Sequence, residues 1–274
     1  LRFFNPEMQD TIDKRTSMEN ALRLSIRQNE LQIYYQPQVD KHGRIFGVEA
    51  LLRWFRPGIG MVSPADFIPL AEESGLILPI GEWVLKTACT QLKAWSNHAD
   101  TRNLELAINV SARQFHQAEF VTQIATCITL FGINPTRLKL ELTESIVLEN
   151  IADVVQRMQQ LRALGISFSM DDFGTGYSSL SYLKQLPLDQ LKIDQSFVRD
   201  ISIDFNDAAI VRAILAMSQS LGLNVIAEGV ETQAQHEFLL ANGCKAFQGY
   251  LFGKPMPIDE LEKHFDLLPD VDIS

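Results

Sequence analysis

The sequence predicts an α/β protein built as one (β/α)8 barrel of the TIM type, with a first strand antiparallel to the second. Three observations predict it. Eight short apolar runs alternate with helix-patterned segments along 274 residues, about the length of one such barrel. The first two runs are separated only by Lys41, His42 and Gly43, a polar connection suited to a hairpin. Acidic and amide residues recur where the apolar runs end, and in a barrel of parallel strands those ends converge on the face where barrel enzymes do their chemistry. An open doubly wound sheet is the alternative, but no glycine-rich dinucleotide loop follows the first strand.

Each element has its own signal. Residues 16–29 carry Ala21, Leu22, Leu24 and Ile26 among charges, a helical pattern. LQIYYQPQVD and RIFGVEALLRW are the hairpin strands, and Pro57, Gly58, Gly60 and Pro64 mark a loop after them. Residues 65–73 and 80–96 read as helices. Then the alternation becomes regular: strand LELAINVS and helix 113–131, strand RLKLELTES and helix 150–163. Strand GISFSMDDFG precedes a Gly/Ser loop and a short helix near 178–185. Strand QLKIDQSF leads to helix 206–221, and strand NVIAEGVE to helix 232–241, which ends at the natural cap Asn242-Gly243. KAFQGYLF is the last strand, followed by a helix near 258–265.

Composition narrows the function. Hydrophobic residues make up 46% and charged residues 21%, the balance of a globular domain with a large core. No uncharged apolar stretch approaches the ~20 residues of a transmembrane helix, and no signal-peptide pattern opens the chain. A net charge of -10 argues against a nucleic-acid polymer as partner, although local cations can still admit an anionic ligand. Cys89, Cys127 and Cys244 are odd in number and far apart, which fits buried free thiols in a reducing compartment. Leu1 is no initiator, and LRFFNPEM reads as the tail of something before it.

Glu49, Asn109, Glu141, Asp171 and Asp172 are hard oxygen donors of the kind that suits Mg²⁺ or Mn²⁺. None of the five histidines lies at a strand end, so a histidine-based zinc or iron site is not indicated. Adjacent Asp171 and Asp172 face one site only if the strand ends or bulges there, and the glycines of FGTGYSS permit that change of direction. Lys192 adds a cation that either orients a water and stabilises an anionic transition state or neutralises excess acid. Asp194 is open between a site role and an ion pair with Lys192. Glu228 is a further carboxylate, a possible base or a water-mediated metal contact. Gln248 closes the ring, while Gln36 and Arg53 stand ready to hold a phosphate or a base edge. Two metals and a lysine suit phosphodiester hydrolysis, but carboxylate rings in barrels also serve enolisation and aldol chemistry, so the residues support the metal better than the reaction.

Glu49-Ala50-Leu51 with Arg53, Asn109-Val110-Ser111, Glu141-Leu142-Thr143-Glu144, Asp171-Asp172-Phe173-Gly174-Thr175-Gly176, Leu191-Lys192-Ile193-Asp194, Ala227-Glu228-Gly229-Val230-Glu231 and Gln248-Gly249-Tyr250 together resemble the EAL family of bacterial cyclic di-GMP phosphodiesterases. The resemblance covers residues 20–265. It implies a barrel with an antiparallel first strand. It also implies that Glu49, Asn109, Glu141 and Asp171 ligate one Mg²⁺ or Mn²⁺ and that Asp171 bridges to a second beside Asp172. Ca²⁺, with its looser and higher coordination, is expected to inhibit by permitting binding but little turnover. By the same resemblance Glu49, Lys192 and Glu228 are the catalytic residues, Lys192 positioning the nucleophilic water. Gln36, Arg53 and Gln248 serve substrate binding, and Glu144 and Glu231 anchor the loop 173–179. Phe55-Arg56 departs from the family's more polar segment after Trp54, outside the catalytic set.

The resemblance further implies a homodimer acting on cyclic di-GMP in the bacterial cytoplasm, lowering a second messenger of signalling and biofilm control. LRFFNPEM resembles the end of a GGDEF domain. Residues 1–15 therefore read as the tail of a preceding domain or a linker, 16–268 as the barrel and 269–274 as a C-terminal tail. A sensor or GGDEF module upstream, with inner-membrane anchoring of the full-length protein, completes the expectation. The competing reading is a catalytically weak receptor that binds cyclic di-GMP; such receptors usually lack a metal ligand, and this chain lacks none.

Overall fold

The computed structural model describes residues 6–147, 150–174 and 180–266. A lead-in helix, α1 (Pro6–Ser25), is polar almost all round; of its side chains from Asp13 onward only Leu22 and Ser25 are buried. The helix begins ten residues before the predicted Thr16. β1 (Leu31–Asp40) and β2 (Ile45–Arg56) then form the predicted hairpin, paired antiparallel from Leu31–Trp54 to Val39–Ile45. The loop predicted after β2 contains a short strand, β3 (Gly60–Val62), which folds back on Trp54, Phe55 and Arg56. Pro57 and Gly58 supply the tight turn, and Gly58 has φ 75°.

From β4 (Glu105–Val110) onward the strands are parallel: β5 (Leu138–Thr143), β6 (Ser167–Phe173), β7 (Gln190–Ile193), β8 (Asn224–Ala227) and β9 (Ala246–Gln248). β4 pairs with β2, and β9 pairs antiparallel with β1, so eight strands close in the ring β1-β2-β4-β5-β6-β7-β8-β9 with β1 antiparallel to both neighbours. The barrel expectation is met, with β3 as a flap outside the ring.

Strand alternation builds two chemistries. On β5, Leu138, Leu140 and Leu142 face outward and are buried, while Lys139 and Glu141 point to the barrel axis. Phe168, Leu191 and Phe247 continue the outer apolar shell. The shell packs under α2 (Pro64–Ser74), α3 (Ile77–Trp95), α4 (Ala112–Phe115), α5 (Phe120–Phe131), α6 (Ile151–Ala163), α7 (Leu180–Leu183), α8 (Gln195–Arg199), α9 (Phe205–Leu221), α10 (Gln233–Ala241) and α11 (Ile258–Asp266). Each large apolar side chain so buried contributes roughly 1.5–3 kcal/mol.

Two predicted elements divide. The helix expected over 113–131 is α4 plus α5, broken between His116 and Glu119. Phe115 and Phe120 are both buried with ring centroids 5.6 Å apart. On a continuous helix, five residues would turn them about 140° apart and leave one in water. The strand expected through QLKIDQSF stops at Ile193, because Asp194 accepts from Ser196 N at 3.0 Å and starts α8.

The barrel axis is polar. Gln36, Gln38, Lys139, Glu141, Ser169, Gln190, Lys192 and Gln248 are all buried along it, where TIM barrels usually stack branched aliphatics. Among the described residues no helix is long and apolar enough to cross a membrane. The three cysteines are free and buried, as expected, and burial pushes the Cys89 thiol up to about 12.

Candidate active site

Lys192 on β7 is the hub. Its side chain is 1% exposed, and Nζ lies 2.6 Å from Glu141 Oε2, 2.7 Å from Glu228 Oε1, 3.1 Å from Asp171 Oδ1 and 3.4 Å from Glu49 Oε2. These partners come from β2, β5, β6 and the turn after β8, so barrel closure alone brings them together. Glu49 belongs to this rim although β2 runs on to Arg56, because β4 leaves β2 after the Ala50–Ile108 pair.

A shell of amides holds the acids. Asn109 Nδ2 donates to Glu49 Oε1 at 2.6 Å, and Gln248 Nε2 donates to Glu49 Oε2 at 2.6 Å. Gln248 also meets Gln36 Oε1 at 3.1 Å and accepts from Gln38 Nε2 at 2.9 Å. Gln36 Nε2 donates to the Gly253 carbonyl at 3.1 Å. Gln36 and Gln248 thus bond each other, Gly253 and Glu49 within the protein, an arrangement that holds Glu49. Gln38 shares in this network and escaped the sequence reading, although its two-residue spacing from Gln36 put both on one face of β1.

The Asp171-Asp172 problem is solved by a bulge. Pairing of β6 with β7 slips between Met170 and Phe173, and Asp172 takes φ 53°. Aspartate is one of the few non-glycine residues that tolerates this region, at roughly 1–3 kcal/mol of strain. Both carboxylates consequently come to one place, beside Glu228. Asp194, left open by the sequence, caps α8 and adds its charge next to Asp172.

The electrostatics are lopsided. Burial works to raise the Glu49 carboxyl, but Lys192 and the bonds from Gln248 and Asn109 outweigh it and hold it below the ordinary range. Burial and then the charge of Glu49 push Glu141 well above the usual range. Burial, with Asp171 and Glu49 against the pull of Lys192, raises Glu228 to about 8. Burial and Asp171 raise Asp172 to about 6. Burial would lower Lys192, but its acidic neighbours raise it well above normal.

Five carboxylates around one ammonium fit divalent cations. Ligand oxygens of Asp171, Asp172 and Glu228 all lie within 4.8 Å of one another, and the buried Glu141 Oε1 has no hydrogen-bond partner among the described residues. Hard oxygen donors of this kind suit small divalent ions. Glu228 here joins the candidate ligands directly, beyond the water-mediated contact the sequence suggested.

Beside the acids opens a cleft of about 910 Å³, lined by Asn109, Asp171 and Asp172 and by apolar residues of α2 and α3. Arg53 lines it; its guanidinium lies 5.6 Å from the centre of the Tyr34 ring and donates to Leu52 O. Glu144, directly after β5, accepts from Gly174 N at 3.0 Å, where the chain leaves Asp172. Glu231 is exposed, its N–H bonded to Gln235 Oε1 at 2.8 Å. The partner expected for its side chain lies in 175–179, outside the described residues.

Residues 19–255 match the model of the EAL domain family. The bifunctional diguanylate cyclase/cyclic di-GMP phosphodiesterase MucR of Pseudomonas aeruginosa is 44% identical over 94% of this chain and 38% of its own length. The cyclic di-GMP phosphodiesterase PdeR of Escherichia coli is 40% identical over 96% of this chain and 39% of its own. The solved PaMucR phosphodiesterase, a c-di-GMP complex, superposes with a TM-score of 0.87 at 44% identity, covering 89% of this chain and 99% of that one. The chain thus spans well under half the length of these curated relatives.

Proposed function

The chain belongs to the EAL domain family, and from that membership we propose that it is a phosphodiesterase that hydrolyses cyclic di-GMP to linear 5′-pGpG. One observation carries this: the hard-oxygen ring around Lys192 at the mouth of a cleft large enough for a dinucleotide. Glu49, Asn109, Glu141, Asp171, Asp172 and Glu228 would hold Mg²⁺ or Mn²⁺. Such ions, when bound, make a water nucleophilic at neutral pH and offset phosphoryl charge.

The chain's own residues do the rest. Lys192, held by four acids, positions the attacking water and faces the developing negative charge. Glu228 takes up the proton the water loses. The new P–O bond forms as the bond from phosphorus to the ribose O3′ breaks, and the departing O3′ takes a proton from solvent, leaving a 5′-phosphate and a 3′-hydroxyl. Arg53 pins the other phosphate from across the cleft, while Gln36, Gln38 and Gln248 keep Glu49 in place.

The active unit is a homodimer. Ile203 and Phe205 at the head of α9 are 85% and 79% exposed, a surface suited to burial against a second copy. Gly174, bonded to Glu144, abuts Phe197 and Ile214, so a partner on α9 reaches the metal-bearing end of β6. Residues 1–15 lead from an upstream sensor or GGDEF module, and α1, polar and exposed over residues 13–17, suits a bridge between domains. The barrel works in the bacterial cytoplasm even where upstream segments anchor the protein to the inner membrane.

The test is incubation with cyclic di-GMP and Mg²⁺ or Mn²⁺, with nucleotides separated by chromatography. The expected product is 5′-pGpG, absent in excess EDTA, with Ca²⁺ supporting binding but little turnover. Full activity in EDTA rejects the cation mechanism; tight binding without product makes the domain a receptor.

A further inference from the structure

Glycine is a poor helix former, yet Gly81 sits within α3, one turn past its start. Its neighbour explains it. A Cβ on Gly81 would overlap the carboxamide of Gln114, with even Oε1, the farthest of its three nearest atoms, at 2.8 Å. The bare backbone is the seat on which the Gln114 amide rests.

That amide is committed elsewhere. Gln114 Oε1 accepts from Ser111 N at 3.3 Å and from Ser111 Oγ at 2.9 Å, while Gln114 N donates to Ser111 Oγ at 3.2 Å. This reciprocal box caps the turn into α4, a helix of four residues. Two residues before Ser111 stands Asn109, which bonds Glu49 at 2.6 Å and borders the cleft with Gly81 and Gln114. Displacing the amide from α3 breaks the box and loosens the strand end that carries Asn109.

We infer that Gly81 and Gln114 form a positioning pair, in which the missing side chain on α3 seats an amide that locks Asn109 into the cation-binding and catalytic ring. The inference rests on the phosphodiesterase reading of that ring. Neither residue touches the reacting atoms; both act through Ser111 and Asn109.

The experiment is a double-mutant cycle on the whole domain, read in cyclic di-GMP turnover and in the rise of Tm on adding Mn²⁺, with EDTA as reference. Gly81→Ala should lower kcat/KM by on the order of 10-fold or more, since misplacing a site group by about 1 Å can cost ~10²-fold. It should shrink the Mn²⁺-induced Tm rise as well. Gln114→Ala should match it, and the double variant should fall within about 2-fold of either single. Gln114→Glu keeps the acceptor oxygen, and with it the box, and should retain most of the rate, whereas a role for the amide nitrogen would give a loss as large as that of Gln114→Ala. In the Gln114→Ala background, Gly81→Ala should raise the EDTA-state Tm, because alanine is then simply the better helix residue. Normal turnover and Mn²⁺ response in Gly81→Ala, or independent losses that multiply in the double variant, overturn the pairing. A wild-type domain without turnover and without Mn²⁺ response overturns the reading of the site itself, and this pairing with it.

Discussion

Two lysines are buried on the barrel axis, at opposite ends, and their surroundings differ in one respect. Lys139, toward the N-terminal ends of the strands, has Glu105 Oε2 at 2.7 Å and Gln190 Oε1 at 3.1 Å: one charge, one countercharge and one amide. Lys192, at the other end, has four carboxylates within 3.4 Å and Asp172 beyond them. The first arrangement is electrically closed and needs nothing from outside. The second carries surplus negative charge in a buried place, a costly state unless cations compensate it. The same side chain is a plug at one end of the barrel and, on the proposed function, a working part at the other, and the surplus of acid makes the difference.

The largest expected effect separates the two ends directly. Lys192→Ala should lower turnover by on the order of 10²-fold or more, as loss of a positioned electrostatic group does. Lys139→Met should leave kcat and KM within about 2-fold yet lower stability by about 1–2 kcal/mol, less than the 3–5 of a fully buried pair because Glu105 is one-third exposed. Steady-state kinetics beside urea denaturation decide it. A large loss of kcat in Lys139→Met would erase the contrast.

A middle-sized effect sharpens the active end. Arg53 lines the cleft, donates to the Leu52 carbonyl and lies over the face of Tyr34. Arg53→Ala should raise KM by roughly 10-fold with kcat within a few-fold, the loss of one charged contact to phosphate. A fall in kcat at unchanged KM would move Arg53 from substrate binding to the chemistry.

The ring of acids was legible in the sequence because strand ends in a barrel share one face, so a place at the end of an apolar run is enough to group residues far apart in the chain. The hairpin was legible from three polar residues. The flap β3 was not, since Pro57 and Gly58 announce a turn but not the three-residue return that follows it. The break between α4 and α5 depends on two phenylalanines competing for one core. The internal bonding of Gln36 and Gln248 was hidden for a similar reason: period-2 alternation says that an amide faces the axis but not whether ligand or protein takes its hydrogen bonds. The surplus charge was visible as a count of acids, while its concentration on a single ammonium emerged only from closure of the ring.

The smallest expected effect is thermodynamic and tests the surplus charge without any turnover. In the cation-free protein Asp172 is raised from 3.8 to about 6 and Glu228 from 4.5 to about 8, by burial first and by neighbouring acids second. A carboxyl whose folded pKa is raised binds its proton more tightly in the folded than in the unfolded state. The stability this gives is fully present below the unfolded value and is lost as pH rises through the folded value. In EDTA, Tm should therefore fall between about pH 5 and pH 8.5, by on the order of 5 °C in a domain of this size. Mn²⁺ should flatten or invert the slope, because it binds the ionised carboxylates and so gains affinity as protons leave. Glu228→Gln should flatten the EDTA slope above pH 6.5, since its amide has no proton to lose in that window. Glu105→Gln, at the closed end, should shift Tm by a similar amount at every pH in the window. Calorimetry across this pH range, with and without Mn²⁺, reads all four. Parallel slopes for wild type and Glu228→Gln in EDTA would mean that the acid cluster holds no surplus, and the contrast between the two lysines would lose its electrostatic basis.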